Sequence, residues 1–107
     1  MPQHGDSKKN PAPHHLYEIL DKETDDLFKY GISAGELGKD GLSLRIRLQL
    51  EHDNLVAGYE RFFVKILLTN IPGREKALEL EDWYIEAYRK IHGKSPPGNK
   101  GKKRRHH

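Results

Sequence analysis

The chain of 107 residues contains no cysteine, so disulfide bonds cannot stabilise its fold and a zinc site built on thiolates is excluded. No apolar run is long enough to span a membrane, and no signal-peptide pattern opens the chain. A phosphate-binding glycine loop is also missing, because "GELGKDG" does not have the context that such a loop needs. Ser33 and Ser43 have no evident histidine and aspartate partners, which argues against a hydrolase triad.

Charged residues, in contrast, make up 33% of the chain, and the formal net charge is +3. The basic excess lies at the two ends, and residues 100–107 are expected to form a basic, disordered tail. Residues 1–13 are polar and contain proline, which predicts a disordered leader or the scar of a linker. His106 and His107 in that tail look like the remnant of a purification tag. A basic tail can add sequence-independent affinity for phosphates. One folded domain is therefore expected between residues 14 and 99.

The pattern of apolar residues in that domain predicts the order strand, strand, helix, strand, helix. Strand-forming residues over 16–20 and 27–32 flank a polar loop, as in a hairpin. Residues 62–68 are almost continuously apolar, which predicts a strand that is buried on both faces. The expected fold class is α+β, with a small three-stranded, mainly antiparallel sheet flanked by helices.

The first helix is expected to begin after Ser43, which can serve as its N-cap. Leu44, Leu48 and Leu55 fall on related faces of this helix. Because "LRIRLQL" also alternates, a strand competes with the helix in this stretch, although the length of the segment favours the helix.

The second helix is expected over residues 74–91, with Gly93 as its C-terminal stop. Trp83 in this helix is expected to pack in the core. Glu81 lies directly beside the apolar stripe and calls for another explanation. The stripe itself has helical spacing and consists of Ala77, Leu78, Leu80, Tyr84, Ile85 and Tyr88.

Several polar side chains stand at the junctions of these elements. Each of them has an ordinary explanation alone, since strand tyrosines usually belong to a core and helix arginines are usually solvated. Together they could form one active site. They are Tyr17 on the first strand, Lys29 and Tyr30 on the second, Arg45 in the first helix, Glu81 in the second helix and Asn99 in the final turn.

This arrangement resembles the GIY-YIG nuclease family. "ALELEDWYI" is similar to the family's helix motif, alanine-x-x-x-glutamate-x-x-x-isoleucine, and "PPGN" is similar to its terminal proline-x-x-asparagine. At the front, "HLY" stands in place of glycine-isoleucine-tyrosine, and "KYGIS" stands in place of the tyrosine-isoleucine-glycine motif. The sequence also resembles the C-terminal nuclease toxin domains of bacterial polymorphic effectors.

The resemblance implies a metal-dependent endonuclease that hydrolyses phosphodiester bonds, with DNA favoured over RNA. Glu81 would bind Mg²⁺ or Mn²⁺, Arg45 would clamp the phosphate, and Tyr17 would orient or deprotonate the attacking water. Either Lys29 or Tyr30 would fill the role of the second-strand tyrosine, depending on the register of that strand. Contacts with substrate are implied for Gly31, Gln49, Asn99 and Lys100, and the alternative role of Asn99 is to fix the region of Glu81.

For the phosphate clamp, Arg47 is the alternative to Arg45, and His52 lies further along the same helix. The likeness to toxins implies a bacterial effector that is secreted or delivered into the cytoplasm of a target cell. A cognate immunity protein would then block the site with acidic residues. Two other functions stay open: a nucleic-acid-binding module that has lost catalysis, which the incomplete front motifs favour, and a small protein-interaction domain that uses Trp83.

Overall fold

The computed structural model of the protein describes residues 11–39 and 41–99. Its elements, listed in chain order, are strands β1 (Pro13–Asp21) and β2 (Asp26–Ala34), helix α1 (Leu44–Ala57), strand β3 (Phe62–Pro72), helix α2 (Arg74–His92) and a short 3₁₀ helix (Pro97–Asn99). This order confirms the predicted fold class. Most of the predicted leader and the whole predicted tail lie outside the described residues. No helix of the described part is both long and apolar enough to cross a membrane.

Strand β1 lies at the centre of the sheet and pairs antiparallel with β2 on one side and β3 on the other. The prediction that residues 62–68 are buried on both faces is wrong, because β3 is an edge strand. Its Phe63 and Leu68 side chains are each 37% exposed. The strand that is buried almost throughout is β1. Position in the sheet, and not local apolarity, decides which strand is covered on both faces.

The two helices pack on opposite faces of the sheet. On one face, Leu78 of α2 clusters with Leu16 and Ile32. On the other face, Ile46 of α1 clusters with Tyr17. Adjacent residues of β1 reach different helices because successive side chains of a strand point to opposite faces.

Helix α1 confirms the predicted helix and excludes the competing strand. The Ser43 hydroxyl caps it by accepting a hydrogen bond from the Ile46 amide at 3.3 Å. Leu44, Leu48 and Leu55 do share one face of the helix, but they are 66%, 55% and 80% exposed. The face of α1 that packs on the sheet is instead the face of Ile46.

Helix α2 matches the predicted bounds to within one residue, and Gly93 ends it in the left-handed conformation with φ 76°. Glu81 is 1% exposed and is buried together with Ala77 and Leu78. The expectation that Trp83 packs in the core is wrong, because its side chain is 65% exposed. Two residues after Glu81, Trp83 points about 200° away around the helix and so faces outward.

Candidate functional site

Tyr17 occupies the middle of the central strand and lies opposite Gly31 of β2. Its side chain is only 4% exposed. A Cβ atom at residue 31 would collide with the ring and the hydroxyl of Tyr17. The glycine, which would otherwise weaken the strand, is thus needed because another group approaches its backbone closely. The group that approaches it is the Tyr17 ring, and a contact between Gly31 and substrate stays a prediction.

Three charged side chains act on the Tyr17 hydroxyl. Burial raises the pKa of Tyr17 to about 12, the Arg45 guanidinium lowers this pKa, and the carboxylates of Glu81 and Asp53 raise it. Arg45 and Asp53 come from α1, whereas Glu81 comes from α2 on the other face of the sheet. Side chains from both helices therefore lie within electrostatic range of one phenol. At neutral pH this phenol is protonated and can donate a hydrogen bond.

The choice between the two candidate arginines follows from the turn of α1. Arg45 acts on Tyr17, and Arg47 is not among the charges that do so. Two positions apart on a helix, the two side chains point about 200° away from each other. His52 lies further along the helix and is exposed. The structure therefore brings Arg45, rather than Arg47 or His52, to Tyr17.

The register of β2 separates the two second-strand candidates. Lys29 pairs with Ile19, which packs in the same cluster as Tyr17. Because side chains alternate along a strand, Tyr30 points to the other face. There its ring lies 5.3 Å from the ring of Tyr84 on α2. Lys29 is the candidate that shares a face with Tyr17.

The final turn closes the outer edge of β2. Asn99 is 2% exposed, its Nδ2 donates to the Tyr30 carbonyl at 3.0 Å, and its Oδ1 accepts from the Tyr30 amide at 2.9 Å. A Cβ atom at Gly98 would lie 2.7 Å from the Cβ of Lys29, so only glycine fits there. The turn thus protects a sheet edge. A contact between Asn99 and substrate stays a prediction, and Lys100 lies outside the described residues.

Comparison with known proteins agrees with this architecture. A family model described as Tox-URI2, URI fold toxin 2, matches residues 7–93. The chain belongs to the URI fold toxin 2 family. No curated protein and no solved structure matches the chain. The family match makes this chain a toxin domain with a nuclease-like fold, and the match includes all three strands and both long helices.

Asp53 of this toxin domain also acts on Tyr17, although the sequence analysis did not select it. Gln49 Nε2 donates a hydrogen bond of 3.0 Å to Oδ1 of Asp53. Arg45, Gln49 and Asp53 follow one another at intervals of four residues, so they form a continuous row on α1. That spacing was the only signal in the sequence that could have identified Asp53. A contact between Gln49 and substrate stays a prediction.

The donor atoms of the toxin domain fit a divalent cation only if substrate supplies further ligands. Within residues 11–39 and 41–99, no group of three histidine, cysteine, aspartate or glutamate side chains could hold a metal ion. Mg²⁺ is commonly held by one or two carboxylates together with substrate phosphate and water. The buried carboxylate of Glu81 is compatible with that mode of binding.

Proposed function

We propose that this toxin domain is a metal-dependent endonuclease of the GIY-YIG type that hydrolyses phosphodiester bonds, with DNA as the favoured substrate. The observation that supports this proposal best is the action of both Arg45 and Glu81 on the Tyr17 hydroxyl. Hydrolysis of a phosphodiester requires a positioned water molecule and stabilisation of the negative charge that builds up on the phosphate. A guanidinium and a carboxylate whose charges both act on one phenol are suited to these tasks.

Each side chain has a separate role in the proposed reaction. Arg45 would bind two oxygens of the scissile phosphate, because a guanidinium offers paired donors and keeps its charge at every relevant pH. Tyr17 would orient the attacking water, and Lys29 would add positive charge on the same face. Glu81 would hold Mg²⁺ or Mn²⁺, which when bound stabilises charge on the leaving oxygen.

The test is cleavage of plasmid DNA and of total RNA by the purified protein, with Mg²⁺ and with EDTA. The Glu81→Gln variant should lose Mg²⁺-dependent cleavage while keeping its circular dichroism spectrum. Glu79→Gln is the matched control, because Glu79 makes the same change of charge at an exposed position of the same helix. Full cleavage by the Glu81 variant would remove the catalytic assignment. Salt-sensitive binding without cleavage by the wild type would favour the module that binds nucleic acid without catalysis.

A protein partner is part of the same proposal. We propose that a cognate immunity protein blocks the site with acidic side chains that face Arg45 and Lys29, since complementary charge steers such complexes. The exposure of Trp83 supports a protein-contact surface as well, because exposed aromatic residues often anchor protein interfaces. The toxin would then act in the cytoplasm of a target bacterium into which it is delivered.

A further inference from the structure

Asp53 lies on the face of α1 that packs against the sheet. It follows Ile46 by seven residues, so the two side chains lie within about 20° of each other around the helix. Ile46 is fully buried and clusters with Tyr17, and the partly buried Leu50 and Ala57 pack against the same cluster. The carboxylate of Asp53 is thus placed among the apolar residues that surround the Tyr17 ring.

The two oxygens of Asp53 have different surroundings. Oδ1 accepts the hydrogen bond from Gln49 at 3.0 Å, which fixes the orientation of the carboxylate. Oδ2 is buried and has no hydrogen-bond partner within the described part of the chain. A buried acceptor without a hydrogen bond destabilises a fold, so packing alone gives no reason for a carboxylate at this position. Asp53 is also among the charges that raise the pKa of Tyr17, after burial and after Glu81.

We propose that Asp53 is the proton acceptor of the candidate site and that its carboxylate receives a proton from the attacking water. This inference rests on the proposed function. As the water oxygen forms its bond to phosphorus, the proton moves to the carboxylate of Asp53 and the bond between phosphorus and the leaving oxygen breaks. The leaving oxygen then takes a proton from a solvent water molecule, and Asp53 returns its own proton to solvent, so that one water is consumed for each bond cleaved.

Tyr17 alone was first predicted to orient or deprotonate the attacking water. In the present proposal Tyr17 orients the water and Asp53 deprotonates it. A general base must be deprotonated at the working pH, which carboxylates ordinarily are and phenols are not. The raised pKa of Tyr17 keeps its hydroxyl protonated, which suits a group that orients water by donating a hydrogen bond. Gln49 holds the carboxylate in place through its hydrogen bond to Oδ1. In the proposed reaction, Arg45 binds the phosphate, Gln49 orients Asp53, and Asp53 accepts the proton.

The test compares Asp53→Asn with Glu51→Gln. The asparagine keeps the size of the side chain and an acceptor for Gln49, but it removes the charged oxygen. Glu51 is exposed on the same helix, so its variant makes the same change of charge away from the site. We expect Asp53→Asn to lower the single-turnover cleavage rate at least about 100-fold, within the range of general-base catalysis, with KM little changed. Glu51→Gln should retain the wild-type rate.

Two further measurements separate catalysis from structure. The thermal midpoint of Asp53→Asn should equal or exceed that of the wild type, because the variant no longer buries an unsatisfied charged oxygen. The titration of ¹³C-labelled Tyr17 followed by NMR should shift to lower pH in Asp53→Asn and not in Glu51→Gln. If Asp53→Asn loses stability and activity together, Asp53→Glu restores a carboxylate and should recover part of the rate.

The outcomes distinguish this inference from the proposed function. Cleavage that depends on Glu81 but persists within tenfold in Asp53→Asn overturns the role of Asp53 and leaves the nuclease proposal standing. Failure of Asp53→Glu to recover any activity, when Asp53→Asn is unstable, also overturns it. Absence of cleavage by the wild type overturns both, even where the Tyr17 titration confirms that the two side chains are close.

Discussion

The room that Gly31 leaves for the Tyr17 ring controls the geometry of the candidate site. A methyl group at residue 31 would overlap Cζ and the hydroxyl of Tyr17, and the ring is 4% exposed, with packed neighbours such as Ile46. Adding a methyl group to a packed core costs about 1–3 kcal/mol. Gly31 is not among the glycines with positive φ, so backbone strain adds nothing to that cost. We therefore expect Gly31→Ala to lower the free energy of unfolding by about 1–3 kcal/mol.

Urea denaturation of Gly31→Ala in two backgrounds tests this account. In Tyr17→Leu the ring atoms that collide with the new methyl group are absent. Alanine should then be neutral or stabilising by up to about 1 kcal/mol, because it loses less backbone entropy than glycine when a strand forms. The difference between the effects of Gly31→Ala on the free energy of unfolding in the two backgrounds measures the coupling between residues 17 and 31. The same loss of stability in both backgrounds would refute the explanation that Gly31 makes room for the ring.

Tyr17 and Asn99 each carry a further prediction about stability. Burial raises the pKa of Tyr17 from 10.0 to about 12, so the native state holds this proton more tightly than the unfolded state does. The resulting stability is complete below pH 10, is lost as the pH rises through 12, and amounts to about 2–3 kcal/mol. In urea denaturation, Tyr17→Phe should therefore lose less free energy of unfolding between pH 10 and pH 12 than the wild type does. Equal losses in the two proteins would contradict the shift. Asn99→Ala removes both hydrogen bonds to the Tyr30 backbone and should lower the free energy of unfolding by about 1–3 kcal/mol. Lys94→Ala, at an exposed position, serves as the control. An equal loss of stability in both variants would contradict the role of the turn.

The order of elements could be predicted from the sequence because it depends on local signals. Ser43 caps α1 and Gly93 ends α2, as their residue types predict. The position of β3 at the edge of the sheet could not be predicted, since strand order is a choice among long-range pairings that leaves little trace in a single strand. The exposure of Trp83 could not be predicted either, because only the packing of α2 on the sheet decides which side of that helix is covered.

The candidate site could be predicted only in part. Tyr17, Arg45 and Glu81 come from the resemblance to family motifs, and their catalytic roles stay predictions. The choice of Lys29 over Tyr30 as the residue on the face of Tyr17 required the register of β2, which a single residue of slippage would reverse. The position of Asp53 on the same face of α1 as Ile46 matters only once the orientation of α1 on the sheet is known, and that orientation depends on tertiary packing.

Two carboxylates of this small fold have oxygen atoms that are removed from solvent. Glu81 is 1% exposed, and Asp53 has one buried oxygen without a hydrogen bond in the described residues. Domains of this size are stable by only about 5–15 kcal/mol, so a buried oxygen that lacks a hydrogen bond costs a real fraction of the stability. Both carboxylates act on the phenol of Tyr17, as the proposed function requires of them.

Side-chain amides offset part of this cost at the sheet edges. Asn54 binds the amide and carbonyl of Phe62 at the start of β3, at 2.7 and 3.3 Å, much as Asn99 binds Tyr30 on β2. The chain has no disulfide with which to secure these edges. Each asparagine satisfies a strand's backbone groups that no neighbouring strand can reach. The two asparagines thus stabilise both edges of the sheet whose central strand carries Tyr17.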